Sequence, residues 1–220
     1  MRTATPQQRA FTYTVTDQPA GFPVELDTVK LALKISLTNT TEDDLLNAYI
    51  SAATDYAEKF TRRDFITRTY NTFRDFFPRP YYLTEGYYER SSSFELRRSP
   101  LQSVESLKYF VSGLLVTIAT AVYYNTIEQD YSELLLADGQ TWPGDMDNRL
   151  QAIQIDFKTG FGDNVAAVKV VAPWVEVGIL SHVANMYKNR GDCGECGDSS
   201  GTYLPPHARH LYLQNRIENL

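Results

Sequence analysis

The sequence predicts an α+β protein: a small helical bundle built from helices near both ends of the chain, with an antiparallel β module inserted between them. Three observations predict it. Leu45, Leu46, Tyr49, Ile50, Ala53, Tyr56, Ala57 and Phe60 recur at spacings of three and four, the apolar stripe of a helix. After Pro173 the same spacing returns in Val175, Ile179, Val183, Met186 and Tyr187. Between these stretches, segments rich in aromatic and β-branched residues are separated by turn residues. The expected organisation is an extended arm over 1–23, a helical part made of 24–64 and 171–220, and a β-rich insertion over 65–170.

Residues 1–23 mix Thr, Gln, Pro and Gly without a period, the composition of an arm. From Leu26 a short helix of about two turns is expected, although the alternation of Val29, Leu31 and Leu33 also fits a strand. The next helix, Thr41 to Arg63, is expected to be capped by Thr41, with Asp43 and Asp44 favourable in its first turn. Strands are expected at Ile66 to Phe77, Phe94 to Arg98, Val104 to Val111, Val116 to Tyr124, Tyr131 to Leu136 and Ala152 to Lys158. The last alternates Ile153, Ile155 and Phe157 with Gln154, Asp156 and Lys158, one buried and one wet face. Ser112-Gly113 reads as a hairpin turn, and Pro78 to Ser93 as a long loop or β-arm. The run between Gly162 and Pro173 reads as an apolar link. Pro205-Pro206 opens a last short helix bearing Leu211, Leu213 and Ile217.

The 220 residues carry a net charge of −6 with a pI of about 5.1, which argues against a general nucleic-acid-binding surface, since affinity for phosphates comes from clustered Lys and Arg. No apolar run approaches the roughly 20 residues that span a bilayer. The polar N-terminus has no apolar signal core, so a cytoplasmic site of synthesis is expected. Neither a P-loop nor G-x-G-x-x-G occurs, and Asp145/Asp147 beside Arg149 reads as a solvated ion pair. His182 is expected at the edge of the core. Cys193-x2-Cys196 with His207-x2-His210 could fill a tetrahedral zinc site, or the cysteines could act as a redox dithiol, giving a small enzyme as the alternative function. One CxxC pair is a weak signal, and a reduced, unliganded loop is the preferred reading, with no cofactor and no catalytic residue expected. Tyr81, Tyr82, Tyr87 and Tyr88 crowd one loop, an aromatic content that a neighbouring subunit would cover.

Read in order, several segments resemble the head-tail connector (adaptor) proteins of long-tailed bacteriophages and gene-transfer particles. They are Leu26 to Lys30, the acidic-capped helix ending Thr61-Arg62-Arg63, Ile66 to Thr69, Pro100 to Val104, Lys108-Tyr109, Trp142-Pro143, Thr159-Gly160-Phe161-Gly162, Tyr187 to Arg190, and Pro205 onward. The resemblance spans about residues 24–217. It implies a structural virion protein at the head-tail interface, assembled in the host cytoplasm. About twelve copies would form a ring under the portal. That ring would extend the channel, let double-stranded DNA pass without specific binding, and receive a stopper or tail-terminator protein, with no membrane involved. Another neck or tail-completion protein is a further alternative. The expected docking segment for the portal is Pro205 to Leu220, through Arg209, His210, Leu211, Leu213, Arg216 and Ile217, on the argument that so short a helix must find its stabilisation on a partner.

Overall fold

The computed structural model describes residues 12–19, 21–78, 81–82, 88–89, 93–127, 132–190 and 204–217. The chain divides into two compact units. One takes in the described residues up to Gln18 together with Arg68–Thr159, and the other Pro19–Thr67 together with the described residues from Gly160 onward.

The first unit is built on strands β1 (Tyr13–Asp17), β2 (Arg68–Arg74), β3 (Tyr81–Tyr82), β4 (Tyr88–Glu89), β5 (Ser93–Leu96), β6 (Leu101–Val111), β7 (Leu114–Thr117), β8 (Tyr123–Ile127), β9 (Ser132–Leu136) and β10 (Ile153–Thr159). They form a five-stranded sheet in the order β1-β2-β10-β6-β7, a three-stranded sheet β5-β9-β8, and the small pair β3-β4. All the paired strands run antiparallel. β10 lies at the centre, and its burial alternates as the period of two requires. Ile153, Ile155 and Phe157 join Leu107, Leu134, Leu96, Phe94 and Tyr70 in the core. On the other face Asp156 accepts hydrogen bonds from Asn71 (2.6 Å), Ser106 (2.7 Å) and Lys108 (2.9 Å). Burial opposes ionisation there, but bonds from Lys108, Ser106, Gln154 and Asn71 outweigh it and hold the carboxyl below its usual range.

Two expectations for this unit change. Tyr13–Asp17, placed in an extended arm, is an edge strand paired with β2. Its Tyr13 ring meets Tyr70 and Phe157 edge-on, so an apolar anchor at every second residue overrides the polar composition. The single strand expected from Val116 to Tyr124 is broken: the chain leaves β7, buries Ile118, makes a short 3-10 turn at Thr120–Val122 and enters the other sheet as β8.

The second unit contains α1 (Leu26–Leu33), α2 (Asp43–Thr61), α3 (Val165–Val171), α4 (Pro173–Lys188) and α5 (Pro206–Gln214). Among the described residues no single helix is long and apolar enough to cross a membrane. Leu46, Ile50, Ala53 and Ala57 of α2 pack with Val175, Ile179 and Val183 of α4. Lys30, 2% exposed, pairs with Asp43 at 2.5 Å and ties α1 to the first turn of α2. The expected Thr41 cap is not formed, because the residue at the cap position is Glu42. Its carboxylate accepts from the Tyr187 hydroxyl (2.6 Å) and Arg190 (2.5 Å) at the far end of α4. These two hydrogen bonds, Tyr187 first, hold the Glu42 carboxyl below its usual range.

The boundaries of this unit also lie elsewhere than expected. Phe65 is fully buried in the helical core, its carbonyl accepts from Phe161 N–H at 3.0 Å, and Ile66 bridges Gly162. Residues 65–67 and 160–170 therefore belong with the helices. The link after Gly162 includes α3, capped by the Asn164 side chain, which accepts from Ala167 N–H at 3.0 Å. Its valines hid it: β-branched residues dominate, and Val170 and Val171 are exposed, so no amphipathic period is visible.

The largest correction concerns α5. Instead of awaiting a partner, it completes this subunit's own core: Ala208 and Tyr212 are fully buried in one cluster with α2 and α4, and Ile217 just beyond the helix is 2% exposed.

Candidate interaction surface

The residues singled out from the sequence separate into three groups. On α5 and its C-terminal extension, Arg209, His210, Leu213 and Arg216 are exposed and Leu211 is half-buried, whereas Ile217 is inside. Arg216 lies 5.2 Å over the Phe60 ring, and His210 shares a 3.0 Å hydrogen bond with Gln214. An outward polar face with Leu213 among it is therefore available for a partner, but the apolar anchor expected of it is not. Tyr87, Cys193 and Cys196 lie outside the described residues, as do the side chains of Tyr81, Tyr82 and Tyr88. His207 and His210 are exposed, and among the described residues no group of three or more metal-ligating side chains occurs.

His182, expected at the edge of the core, is 5% exposed within the helical unit. Its ring meets Tyr56 edge-on at 5.3 Å and lies 6.4 Å from Tyr212. Among the described residues its Nδ1, the Tyr212 hydroxyl and Thr54 Oγ1 are buried without a hydrogen-bond partner. Burial alone pushes the His182 imidazole below its ordinary pKa of 6.5. A histidine kept neutral by the fold contributes stability that is complete above the unfolded value and is lost as pH falls through the folded one. Urea unfolding should therefore show stability declining as pH drops below about 6.5, before the carboxylates titrate. His182→Leu should flatten that part of the profile; an unchanged slope would remove His182 as its source.

In the β unit, one end of the five-stranded sheet gathers exposed apolar groups that sequence reasoning did not single out. The β6-β7 hairpin turns at Ser112 (φ 51°) and Gly113 (φ 80°), the two left-handed residues that a tight hairpin needs. Asp147 closes this turn by accepting from the N–H groups of Ser112 and Gly113, both at 2.8 Å. That is its role, in place of the ion pair expected with Arg149, whose guanidinium instead sits 3.9 Å over the Phe110 ring. Asp147→Ala should cost about 1–2 kcal/mol, with faster amide exchange at Ser112 and Gly113; unaltered exchange would mean the turn holds without it.

The loop carrying Asp147 is pinned at its other end, where Gln151 N–H donates to Asp75 at 2.8 Å. Between the pins opens a cavity of about 1020 Å³, its described lining including Phe76, Phe77, Trp142, Met146, Arg149 and Leu150. Trp142 stacks on Phe77 (5.2 Å, 10°) and meets Phe94 edge-on, and its Nε1 is buried without a partner among the described residues. Phe76 (40% exposed) and Leu150 (57%) stand at this groove. Beside it β7 exposes Leu114, Leu115 and Val116. Among the described lining residues the groove offers mainly apolar contact area, with the Asp75 carboxylate and the Arg149 guanidinium beside it.

Comparison with known proteins bears on which molecules share this build. Residues 23–109 match the family described as phage gp6-like head-tail connector protein. Over this segment the chain is similar to the head-tail connector family. The segment takes in α1, α2 and the strands through most of β6, so the family match crosses from the helical unit into the β unit. No curated protein matches the chain. Among solved structures, a chain from the neck of an empty gene transfer agent particle, computed with C6 symmetry, superposes with a TM-score of 0.69 at 16% identity. It covers 95% of this chain and 97% of its own. A chain from the virion of a native gene transfer agent particle gives 0.67 at 18% identity over 94% and 96%. One from the neck of a native particle, computed with C12 symmetry, gives 0.62 at 17% over 94% and 97%. The shared fold thus extends well beyond the connector segment, over both units.

Proposed function

We propose that this chain is a structural virion neck protein, a head-tail connector whose copies form a ring under the portal. The ring extends the DNA channel and presents the attachment surface for a stopper or tail protein. The observation that carries this reading is the connector family match over residues 23–109, supported by a fold shared along nearly the whole chain with proteins of gene transfer agent necks. Those necks were computed with C6 and C12 symmetry, which favours a cyclic ring of about twelve copies here, since heterologous contacts must close to give a finite assembly. The chain acts by contact and not by catalysis. Its net charge of −6 suits a channel wall along which a duplex slides without adhering.

The exposed polar face of α5, with Arg209, His210, Leu213 and Arg216, is the proposed portal contact, held in place by the buried Tyr212 and Ile217. The experiment is genetic: particles made without this chain should accumulate as DNA-containing heads that lack tails, and supplying the protein should restore joining. Normal tailed particles in its absence would refute the reading.

A further inference from the structure

Among the described residues β7 ends its sheet as an open strand, with only β6 beside it. Ile118 N–H donates inward to Leu107 at 2.8 Å. By the two-residue period of an antiparallel ladder, Val116 and Leu114 also turn their N–H groups inward, and Leu115 and Thr117 turn theirs outward. The side chains are as open as the backbone, at 70% exposure for Leu114, 41% for Leu115 and 38% for Val116. Val116 lies opposite Tyr109, a core residue, so Leu114 and Val116 continue the core face past its cover. Leu115 lies opposite Phe110 on the other face. From Val111 to Val122 the sequence contains no charged residue and no proline. An edge strand meant to remain in water is usually protected by Lys, proline or an inward charge. This one has none of those protections.

We propose that β7 is covered by a second copy of this chain, which adds a strand to the open edge and lays apolar side chains against Leu114, Leu115 and Val116. The inference rests on the ring reading above. The second copy is favoured as occupant for two reasons. Copies that each carry −6 repel one another, so the contacts that hold them must come from apolar area and backbone pairing, which β7 supplies. In addition, a four-residue edge is a weak contact alone, but each copy in a closed ring is held from two sides, and the second contact forms at high effective concentration.

The test is assembly onto portal-bearing heads with wild-type protein, Leu115→Pro and Leu114→Asp, followed by imaging of the neck and counting of tailed particles. Leu115→Pro removes an outward N–H and leaves the inward ladder intact. Leu114→Asp changes only a side chain, and circular dichroism checks that both variants fold. The inference expects rings with wild type and at least a tenfold loss of rings and tailed particles with folded variants. It is overturned if folded variants make normal rings, or if a map of the wild-type ring shows the Leu115 and Thr117 edge against solvent or against a different protein. A wild-type neck with no ring of this chain would instead overturn the ring reading itself.

Discussion

A chain ending at Leu204 should lose the helical unit, and Tyr212→Ala alone should cost it about 3–5 kcal/mol. Tyr212 is fully buried where α5 meets α4 and α2. It sits within 6.5 Å of the rings of Phe60, Trp174 and His182. Gly178 makes room for it: a Cβ there would lie 2.5 Å from Tyr212 Cε1. The end of α5 is sewn to the end of α2 as well, since Ile217 N–H donates to Thr61 at 3.1 Å and Arg63 Nε donates to the Asn215 carbonyl at 2.7 Å. Truncation removes all of this and opens the core, a loss comparable with the whole stability of a small domain, about 5–15 kcal/mol. Tyr212→Phe separates packing from polarity. The hydroxyl has no partner among the described residues, so its removal should be neutral or mildly stabilising. Trp174, packed against Phe65 and Phe161, reports unfolding of this unit by fluorescence. A truncated protein with a native Trp174 transition would show that α5 is dispensable.

Gly160→Ala should be nearly as damaging, at about 3 kcal/mol or more. Gly160 has φ of +130°, a conformation that side-chain-bearing residues rarely adopt, and an added Cβ would meet Ile66 C, Thr67 Cα and Thr67 N, each at 2.8 Å. These are backbone atoms of the segment that bridges Gly162 and receives Phe161, so no rotamer change can relieve the contact. Gly144→Ala is the control, because nothing lies within 4 Å of a Cβ at that position, and it should stay within about 0.5 kcal/mol of wild type. Equal stability of the two variants by urea denaturation would contradict the close approach at Gly160.

These two sites mark where sequence reasoning succeeds and where it stops. α2, α4 and β10 were legible because their burial follows one local period, 3.6 or 2 residues, and the structure keeps that period. The glycine turn at Gly160 was visible as a motif, but not the backbone that passes beside it. α5 was misread because an isolated nine-residue helix is marginal in water. The burial that stabilises it depends on the pairing of Tyr212 with Gly178, thirty-four positions earlier in the chain, which no local pattern announces.

The interaction surface was hidden for the same reason. Val116 and Thr117 were read as the start of a strand running to Tyr124, but whether a strand is central or at an edge is decided by pairings with β6 and β10 made far along the chain. Asp147 looked like half of a solvated ion pair because Arg149 is two residues away, while its true partners are Ser112 and Gly113. The face of α5 was half legible. Arg209, His210 and Arg216, named as rim contacts, are exposed, whereas Ile217 is buried, because hydrophobic residues on a short helix serve a core or a partner equally well in sequence alone.

Symmetry-free reconstruction of the head-tail junction, in particles whose copy of this chain carries a small fused density marker, tests the central claim most directly. The account predicts about twelve marked copies in a closed ring around the DNA axis, next to the portal. One marked copy, a two-fold pair, or markers anywhere other than the neck would contradict it.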